Sequence, residues 1–310
     1  MRLWRELCSN KPYFLMKNIV IFTDDPGWHG KQLQQAFANL GYTSFFASLT
    51  NCQLHISPHA IPIIIPGLKE SLPCAVFVRG IPGGSLAEVT FYLNILHSLK
   101  KLNVPVYNQV NAIEHTVDKA ATSFLLHQAK LPTPTTWVVK NTNDAIAITK
   151  NELQQGHFVI CKPLFGSQGK GIRRIEKTSD LLWLTSSQGI FYLQRFINCL
   201  GNDFSDIRVF VINQIAISAM RRKGKYWLNN VALGAHCEPI ELTDALAKLA
   251  TKATLALNLE YAGIDIIQDT SGHYTIIEVN SIPAWKGLES TCSINIAQLL
   301  ADDLINRFIN

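Results

Sequence analysis

The chain is predicted to fold as an α/β half followed by an α+β half. Three observations carry that prediction. Between residues 17 and 108, short apolar runs alternate with helix-spaced segments, the pattern of a parallel sheet with helical crossovers. From about residue 109 the alternation gives way to strands joined by tight turns, with helices between, the pattern of antiparallel sheets. The 310 residues, 47% hydrophobic and only 16% charged, suffice for two or three cores and exclude a disordered chain.

In the first half, KNIVIF (17–22) has a buried-strand pattern, with an unbroken apolar run from Ile19 to Phe22. TDDPGWHG (23–30) reads as a polar loop broken by Pro26 and Gly27. KQLQQAFANLG (31–41) has apolar residues at helical spacing and Gly41 as its C-cap. YTSFFASL reads as the next strand, CAVFVRG (74–80) as one ending on Arg79, residues 86–100 as a helix, and VPVYN (104–108) as the last strand. Ligands of parallel sheets sit beyond the carboxyl ends of the strands, so the Asp24–Lys31 loop, Arg79–Ser85 and Asn108 are the places to look. Residues 1–16 precede the first strand and read as an extension.

In the second half, one helix carries Asp118 and Lys119 to about Lys130. The two prolines of LPTPTTWVV break it and lead into a strand. HFVICKPL is a strand holding Lys162, GIRRIEK returns as another, and IFYLQRFI (190–197) is a third. IRVFVIN and QIAISAMRRK pair about a short turn at Asn213–Gln214. A helix over about 243–258 follows. YAGIDIIQ and YTIIEVN form a hairpin around QDTSGH, and a helix over 295–308 ends the chain.

The net charge of +5 is spread with no Lys/Arg run longer than three, which suits a small anionic ligand rather than a nucleic-acid partner. Seven cysteines without a CxxC read as small apolar residues in a reducing compartment. His55 and His59 are split by Pro58 and do not form a helical metal pair. No run reaches the ~20 apolar residues of a membrane helix, and no secretory leader is visible. A cytoplasmic location is therefore expected, with no membrane partner.

Three constellations carry chemistry. The first is KPLFGSQGKG (162–171). It is not a Walker A loop, because its lysine precedes the glycines on a strand and a strand follows. A glycine loop between antiparallel strands can fold over phosphates as a flap, its N–H groups approaching oxygen where no Cβ intervenes. The same stretch is compatible with a plain glycine-rich hairpin. The second is Asp265, Glu278 and Asn280. A turn centred between Thr270 and Ser271 puts all three on one sheet face, as hard oxygen ligands suited to Mg²⁺. An exposed sheet edge is the alternative. The third is Arg208, Arg221 and Arg222, followed by Asn229 and Asn230. Guanidinium groups suit carboxylate and phosphate oxygens, and strand alternation lets only one of Arg221 and Arg222 face a site.

Together these residues resemble the ATP-grasp ligases, and within them the RimK-like glutamate-ligase branch. The matching pieces are VDKAATSFLLHQAKLPTPTTW, VICKPLFGSQGKGI, YLQRFI, DIRVFVI with AMRRK, WLNNVALGA, AGIDII and IIEVNSIPAWKGLES. They stand in the family's order and span almost the whole chain. The resemblance implies an ATP-grasp fold: an N-terminal α/β domain (17–108), then α+β subdomains over 109–195, with the flap, and 196–310, with the metal site. These subdomains grip ATP between them. It also implies roles. Lys119 and Lys162 contact phosphates. Gly166, Ser167, Gln168, Gly169 and Gly171 form the flap. Gln194, Arg195, Phe196 and Ile197 form the adenine hinge, and Asp206 faces the sugar. Asp265, Glu278 and Asn280 hold two Mg²⁺ ions, for which Mn²⁺ can substitute. Arg208 and Asn230, with Arg221 or Arg222 (Arg221 is the choice), stabilise a reacting acyl phosphate, and Arg79 contacts substrate.

The implied reaction joins a carboxylate to an amine. ATP converts the carboxylate to an acyl phosphate, and the amine, with glutamate favoured, displaces phosphate. The expected acceptor is a small molecule, such as a pterin-type coenzyme or an N-blocked amino acid. A protein C-terminus is the alternative, and a nucleotide-binding regulatory protein without turnover is a second. Homo-oligomers are common in the family. Four departures stand out. Arg195 replaces the usual hinge acid, which opens the question of GTP. Leu228 replaces an arginine before the Asn229–Asn230 pair. Ala284–Trp285 replaces Gly-Leu beside the acceptor, and the connection from Gln194 to Asp206 is long.

Overall fold

The computed structural model describes residues 16–58, 61–68, 71–166, 169–186, 189–199, 204–228 and 234–310. The expected extension over residues 1–15 lies outside them. The chain divides into two compact units, one running to Val110 and taking back Asn295–Asn310, the other Asn111–Ile294.

The first unit is the predicted parallel sheet. Strands β1 (Met16–Phe22), β2 (Thr43–Ala47), β3 (Pro73–Val78) and β4 (Val106–Tyr107) lie in the order β2-β1-β3-β4. All pairings are parallel. Ile19, Val20, Ile21 and Phe22 are fully buried, as are Ala75 to Val78, which is why both runs read as unbroken apolar stretches. Helix α1 (Gly27–Asn39) starts earlier than the sequence suggested, because Pro26 pre-sets a helical φ of −58° at its N-cap. It ends where expected, with Gly41 at φ +79°. Helix α2 (Leu86–Lys101) opens on a capping box made by Ser85 and Glu88.

The final helix, α7 in the series that follows (Ile296–Phe308), packs on α1, with Asn39 Nδ2 donating to Gln298 Oε1 at 3.1 Å. Tyr107 Oη donates to Asp303 Oδ2 at 2.6 Å. This corrects its assignment to the C-terminal subdomain: its apolar stripe of Ile296, Ala297, Leu300, Ala301 and Leu304 is buried in the first unit.

The second unit holds two antiparallel sheets. One runs β5-β8-β6-β7, from β5 (Thr136–Val139), β6 (Val159–Lys162), β7 (Arg173–Ile175) and β8 (Phe191–Arg195). The other runs β11-β10-β9-β12-β13, from β9 (Phe204–Ile212), β10 (Ile215–Gly224), β11 (His236–Pro239), β12 (Tyr261–Gln268) and β13 (Tyr274–Asn280). The turn between β9 and β10 is where expected, with Asn213 and Gln214 at φ +47° and +61°, the two-residue hairpin geometry that matches strand twist.

The expected helix through Asp118 is two helices, α3 (Val110–Val117) and α4 (Lys119–Gln128). Asp118 sits between them in extended geometry, its Oδ1 accepting from the N–H of Ala120 at 2.8 Å and of Ala121 at 3.2 Å. An N-cap inside a periodic run restarts the helix and fixes Lys119 as its first residue. Helix α5 (Thr142–Gln154) was not anticipated. It is capped by Asn141, and it covers a core of Ala145, Val159, Leu193, Ile175 and Phe191. Helix α6 (Asp244–Ala256) covers the larger sheet through Leu246, Ala250 and Ala253 against Ile207, Val209, Ile264 and Ile266. Among the described residues no helix is long and apolar enough to cross a membrane, and the described cysteines are free thiols.

Candidate active site

A cleft in the second unit is lined by α4, by the glycine loop and strands of the smaller sheet, and by β13. Its walls include Lys119, Lys162, Lys170, Gly166, Gly169, Tyr192, Gln194 and Glu278. Lys162 ends β6, and antiparallel register sets it beside Tyr192 on β8. Its Nζ donates to Gln194 Oε1 at 2.7 Å. Gln194 Nε2 in turn donates to Tyr192 Oη and to Thr136 Oγ1, both at 3.1 Å. Lys119 reaches across from α4, its Nζ donating to the Gly166 carbonyl at 2.9 Å. Three ammonium groups, of Lys119, Lys162 and Lys170, thus share the cleft with one carboxylate, Glu278, among the described residues of its lining.

The electrostatics follow. Burial pushes the Lys162 ammonium down to about 8, against the pull of Glu278, and the like charge of Lys119 adds to the fall. Burial likewise lowers Lys119, opposed by Glu278 and Asp118. Such a cleft is short of negative charge and suits a polyanion.

The glycine loop has the backbone that only glycine adopts readily. Gly166, Gly169 and Gly171 have φ of +138°, +75° and +76°, which side-chain-bearing residues rarely adopt. The loop joins β6 to the antiparallel β7. Ser167 and Gln168 lie outside the described residues.

On the larger sheet, cross-strand register builds a charged row. Asp206 faces Arg222, Arg208 faces Asp265, and Asp265 faces Glu278. The last pairing arises differently from the expectation. The β12–β13 turn is centred on Ser271, with Gln268 opposite Tyr274, and a bulge at Ile277 brings Glu278 directly opposite Asp265. The one-face prediction holds, by a register the sequence did not reveal.

The row is internally neutralised. Arg222 donates to Asp206 through Nε at 2.6 Å and Nη2 at 2.8 Å, and its Nη2 lies 3.0 Å from Asp265 Oδ2. Arg208 grips Asp265 with both Nε and Nη2, the second at 2.8 Å. All four residues are buried. Burial alone would raise the Asp265 carboxyl, but the Arg208 and Arg222 guanidinium groups outweigh it and hold it below the usual range. Asp206, which shares Arg222 with Asp265, is pushed up to about 6 by burial, with Arg222 opposing. Asp206, expected at the nucleotide sugar, is here the partner of Arg222.

The choice of Arg221 is corrected: it lies opposite Ile207, on the α6 side of the sheet, whereas Arg222 shares the face of Arg208 and Asp265. Alternation left both open, and only Asp206 across the strand decides between them. Asn230 lies outside the described residues, with Asn229.

The hinge departure has a structural partner. Arg195 follows Gln194, so its side chain leaves the opposite face of β8 and meets Glu152 of α5, through Nε at 2.7 Å and Nη2 at 3.1 Å. Glu152 is 2% exposed. Phe196 N–H donates to the Phe158 carbonyl at 2.9 Å, fixing the start of the connection that carries Ile197. Trp285 of the acceptor-side departure is fully buried and packs edge-on against Phe210 at 6.3 Å. Tyr192 and Thr136 were missed, although Tyr192 lies two residues before Gln194 and so on its face.

The donor set suits a hard cation in kind. Glu278 is exposed, its side chain has no hydrogen bond or ion pair among the described residues, and Asn280 adds an amide oxygen. No three His, Cys, Asp or Glu side chains converge among those residues. Two carboxylates and an amide are what Mg²⁺ takes when nucleotide phosphates complete its shell.

The RimK-like ATP-grasp domain matches residues 116–304. The tetrahydromethanopterin:alpha-L-glutamate ligase of Methanococcus maripaludis is 37% identical over 241 residues, 76% of this chain and 80% of the relative. The protein of that name from Methanosarcina acetivorans is 31% identical over 329 residues, 94% and 99% of the two chains. The solved structure of the ATP-grasp ligase PsnB complexed with minimal precursor, Mg and ADP superposes with a TM-score of 0.71 over 95% of this chain and 99% of PsnB, at 20% identity. The chain belongs to the RimK-like ATP-grasp family of ligases, whose members use ATP and Mg²⁺ to form C–N bonds.

Proposed function

We propose that this RimK-like ATP-grasp ligase adds L-glutamate to a pterin-type coenzyme, by way of an acyl phosphate. The observation that carries the reading is the cleft itself. Lys119 and Lys162 converge on one side and Glu278 on the other, under a glycine flap, in a chain 37% identical to a tetrahydromethanopterin:alpha-L-glutamate ligase.

Lys119 and Lys162 hold the phosphates of ATP, and the loss of their depressed affinity for protons on binding an anion is part of the driving force. The hinge from Gln194 to Ile197 borders the base. Arg195 is turned to Glu152, so its replacement of an acid does not put a guanidinium at the base edge, and ATP rather than GTP remains the expected nucleotide. Glu278 and Asn280, joined by Asp265, would hold two Mg²⁺ ions, with Mn²⁺ as a substitute. Bound there, the metal neutralises charge developing on the phosphoryl oxygens.

The acceptor carboxylate attacks the γ-phosphorus, ADP leaves, and the acyl phosphate forms. The glutamate amine then attacks the acyl carbon, and inorganic phosphate leaves with the former carboxylate oxygen. Arg208 supplies positive charge for the acyl phosphate, with Arg222 anchoring the row, and Asn230 is its proposed neighbour. The flap keeps water from the acyl phosphate. In the first unit, Arg79 follows β3, its N–H held by the Phe22 carbonyl at 2.9 Å, and is the proposed substrate contact. Trp285, being fully buried, bears on the acceptor through packing rather than by touching it.

The test is acceptor-stimulated ADP release from Mg-ATP and L-glutamate across a panel of tetrahydromethanopterin, N-blocked amino acids and peptides, with products weighed by mass spectrometry. A pterin gaining one glutamate residue is the expected result. Response only to a peptide or protein C-terminus would sink the pterin reading, and bound ATP without stimulated ADP release from any acceptor would sink ligation.

A further inference from the structure

A carboxylate offers about four lone pairs to donors or cations. On Asp265 most of them are taken. Oδ1 accepts from Arg208 Nε, and Oδ2 accepts from Arg208 Nη2 at 2.8 Å, with Arg222 Nη2 at 3.0 Å and Asn280 Nδ2 at 3.5 Å. A divalent cation on Asp265 would share one buried carboxylate with two guanidinium cations, where repulsion is poorly screened. One arginine has to leave first.

The two arginines are not equivalent. Arg222 is held independently by both oxygens of Asp206. Arg208 has Asp265 as its one ion-pair partner among the described residues. Arg208 also lies in a slot that exists because residue 263 is glycine. A Cβ there would come within 3.0 Å of Arg208 Nη1 and 2.8 Å of the Pro283 side chain. Across the strand, Glu278 is exposed and uncommitted, so one ligand is open while the other is covered.

We propose that Arg208 stands in for the metal on Asp265: the Arg208–Asp265 ion pair and a divalent cation at Asp265, Glu278 and Asn280 exclude one another, so that loading the metal frees the Arg208 guanidinium for the phosphoryl groups. The proposal rests on the metal reading given above. It makes Arg208 a group whose availability depends on the cation, which ties the charge that stabilises the acyl phosphate to a loaded site.

The test is Mn²⁺ binding followed by electron paramagnetic resonance, without nucleotide, on the wild type, Arg208→Gln and Glu278→Gln. Removing the competing charge in Arg208→Gln is expected to tighten Mn²⁺ binding about tenfold, and Glu278→Gln to weaken it. Equal or weaker binding by folded Arg208→Gln overturns the proposal. Binding unchanged by Glu278→Gln overturns the metal reading itself, a separable outcome. A second measurement needs no perturbed binding site. The ¹⁵Nε–H resonance of Arg208, assigned by its absence in Arg208→Lys, should move or broaden as Mg²⁺ is titrated into the wild type, while that of Arg222 holds. An Arg208 signal that ignores saturating Mg²⁺ contradicts the proposal.

Discussion

The two sheets of the second unit handle charge in opposite ways. On the smaller sheet Lys162 and, beside it on α4, Lys119 are paired to neutral oxygens, of Gln194 and Gly166. On the larger sheet every buried guanidinium of the row meets a carboxylate, Arg222 with Asp206 and Arg208 with Asp265. One wall is left electrostatically unfinished and the other is complete. The unfinished wall is where an anion gains most on binding, because burial of the lysines outweighs the pull of Glu278 on them. The complete wall costs nothing further to keep, but opening it costs a great deal. Phosphate binding and structural integrity are thus separated by sheet, and substitutions should separate them too.

The largest effect is expected on the unfinished wall. Lys162→Met should lower turnover by about 10²–10³-fold and weaken ATP binding measured by calorimetry, while leaving the unfolding midpoint close to wild type. A large loss of stability with intact ATP affinity would erase the contrast between the sheets. Next comes the complete wall. Asp265→Asn leaves two buried guanidinium groups short of charge and should destabilise the second unit by about 3–5 kcal/mol, read from denaturant titration. Glu278→Gln, at the boundary between the two, should lower turnover far more than ATP affinity, since charge on the phosphoryl group peaks in the transition state. Equal loss of both would contradict its assignment as a metal ligand.

A gentler perturbation is pH. Free Lys162 titrates near 8, and bound phosphates should raise that value. Between the free and bound values the free protein lacks a proton that the complex holds, so binding takes up a proton above about pH 8, and affinity falls as pH rises. Calorimetry in buffers of different ionisation enthalpy measures the uptake, and Lys162→Met should abolish it. The smallest effect is expected behind the cleft. Arg195→Ala strands Glu152 and should cost about 1–3 kcal/mol of stability, without changing the preference for ATP over GTP. A switch toward GTP would show that Arg195 does read the base.

Much of this was legible in the sequence, and the failures have physical causes. Period-two alternation put Asp265, Glu278 and Asn280 on one face, and the Asn213–Gln214 turn marked the neighbouring β9–β10 hairpin. The bulge at Ile277 left no trace, because a one-residue insertion in an apolar strand changes no residue type. Arg221 and Arg222 are identical in kind, and only the strand opposite, with Asp206, distinguishes them. Asp118 looked like a helix interior because the flanking periodicity ran through it, yet its carboxylate caps the helix that begins at Lys119. Helix α5 went unread because its polar face dominates its composition. Its buried Glu152, which explains Arg195, is a carboxylate that nothing local marks as internal. The last helix was assigned by its place in the chain, whereas its packing on α1 is set by apolar stripes far apart in sequence.

The central claim is that the lysine-lined cleft delivers a phosphoryl group to a carboxylate. The most direct measurement is oxygen tracing with an acceptor whose carboxylate carries ¹⁸O, in the presence of Mg-ATP and L-glutamate. One ¹⁸O in each inorganic phosphate, matched to each amide formed, is the predicted result. Amide formation with unlabelled phosphate, or with the label in AMP, would contradict it.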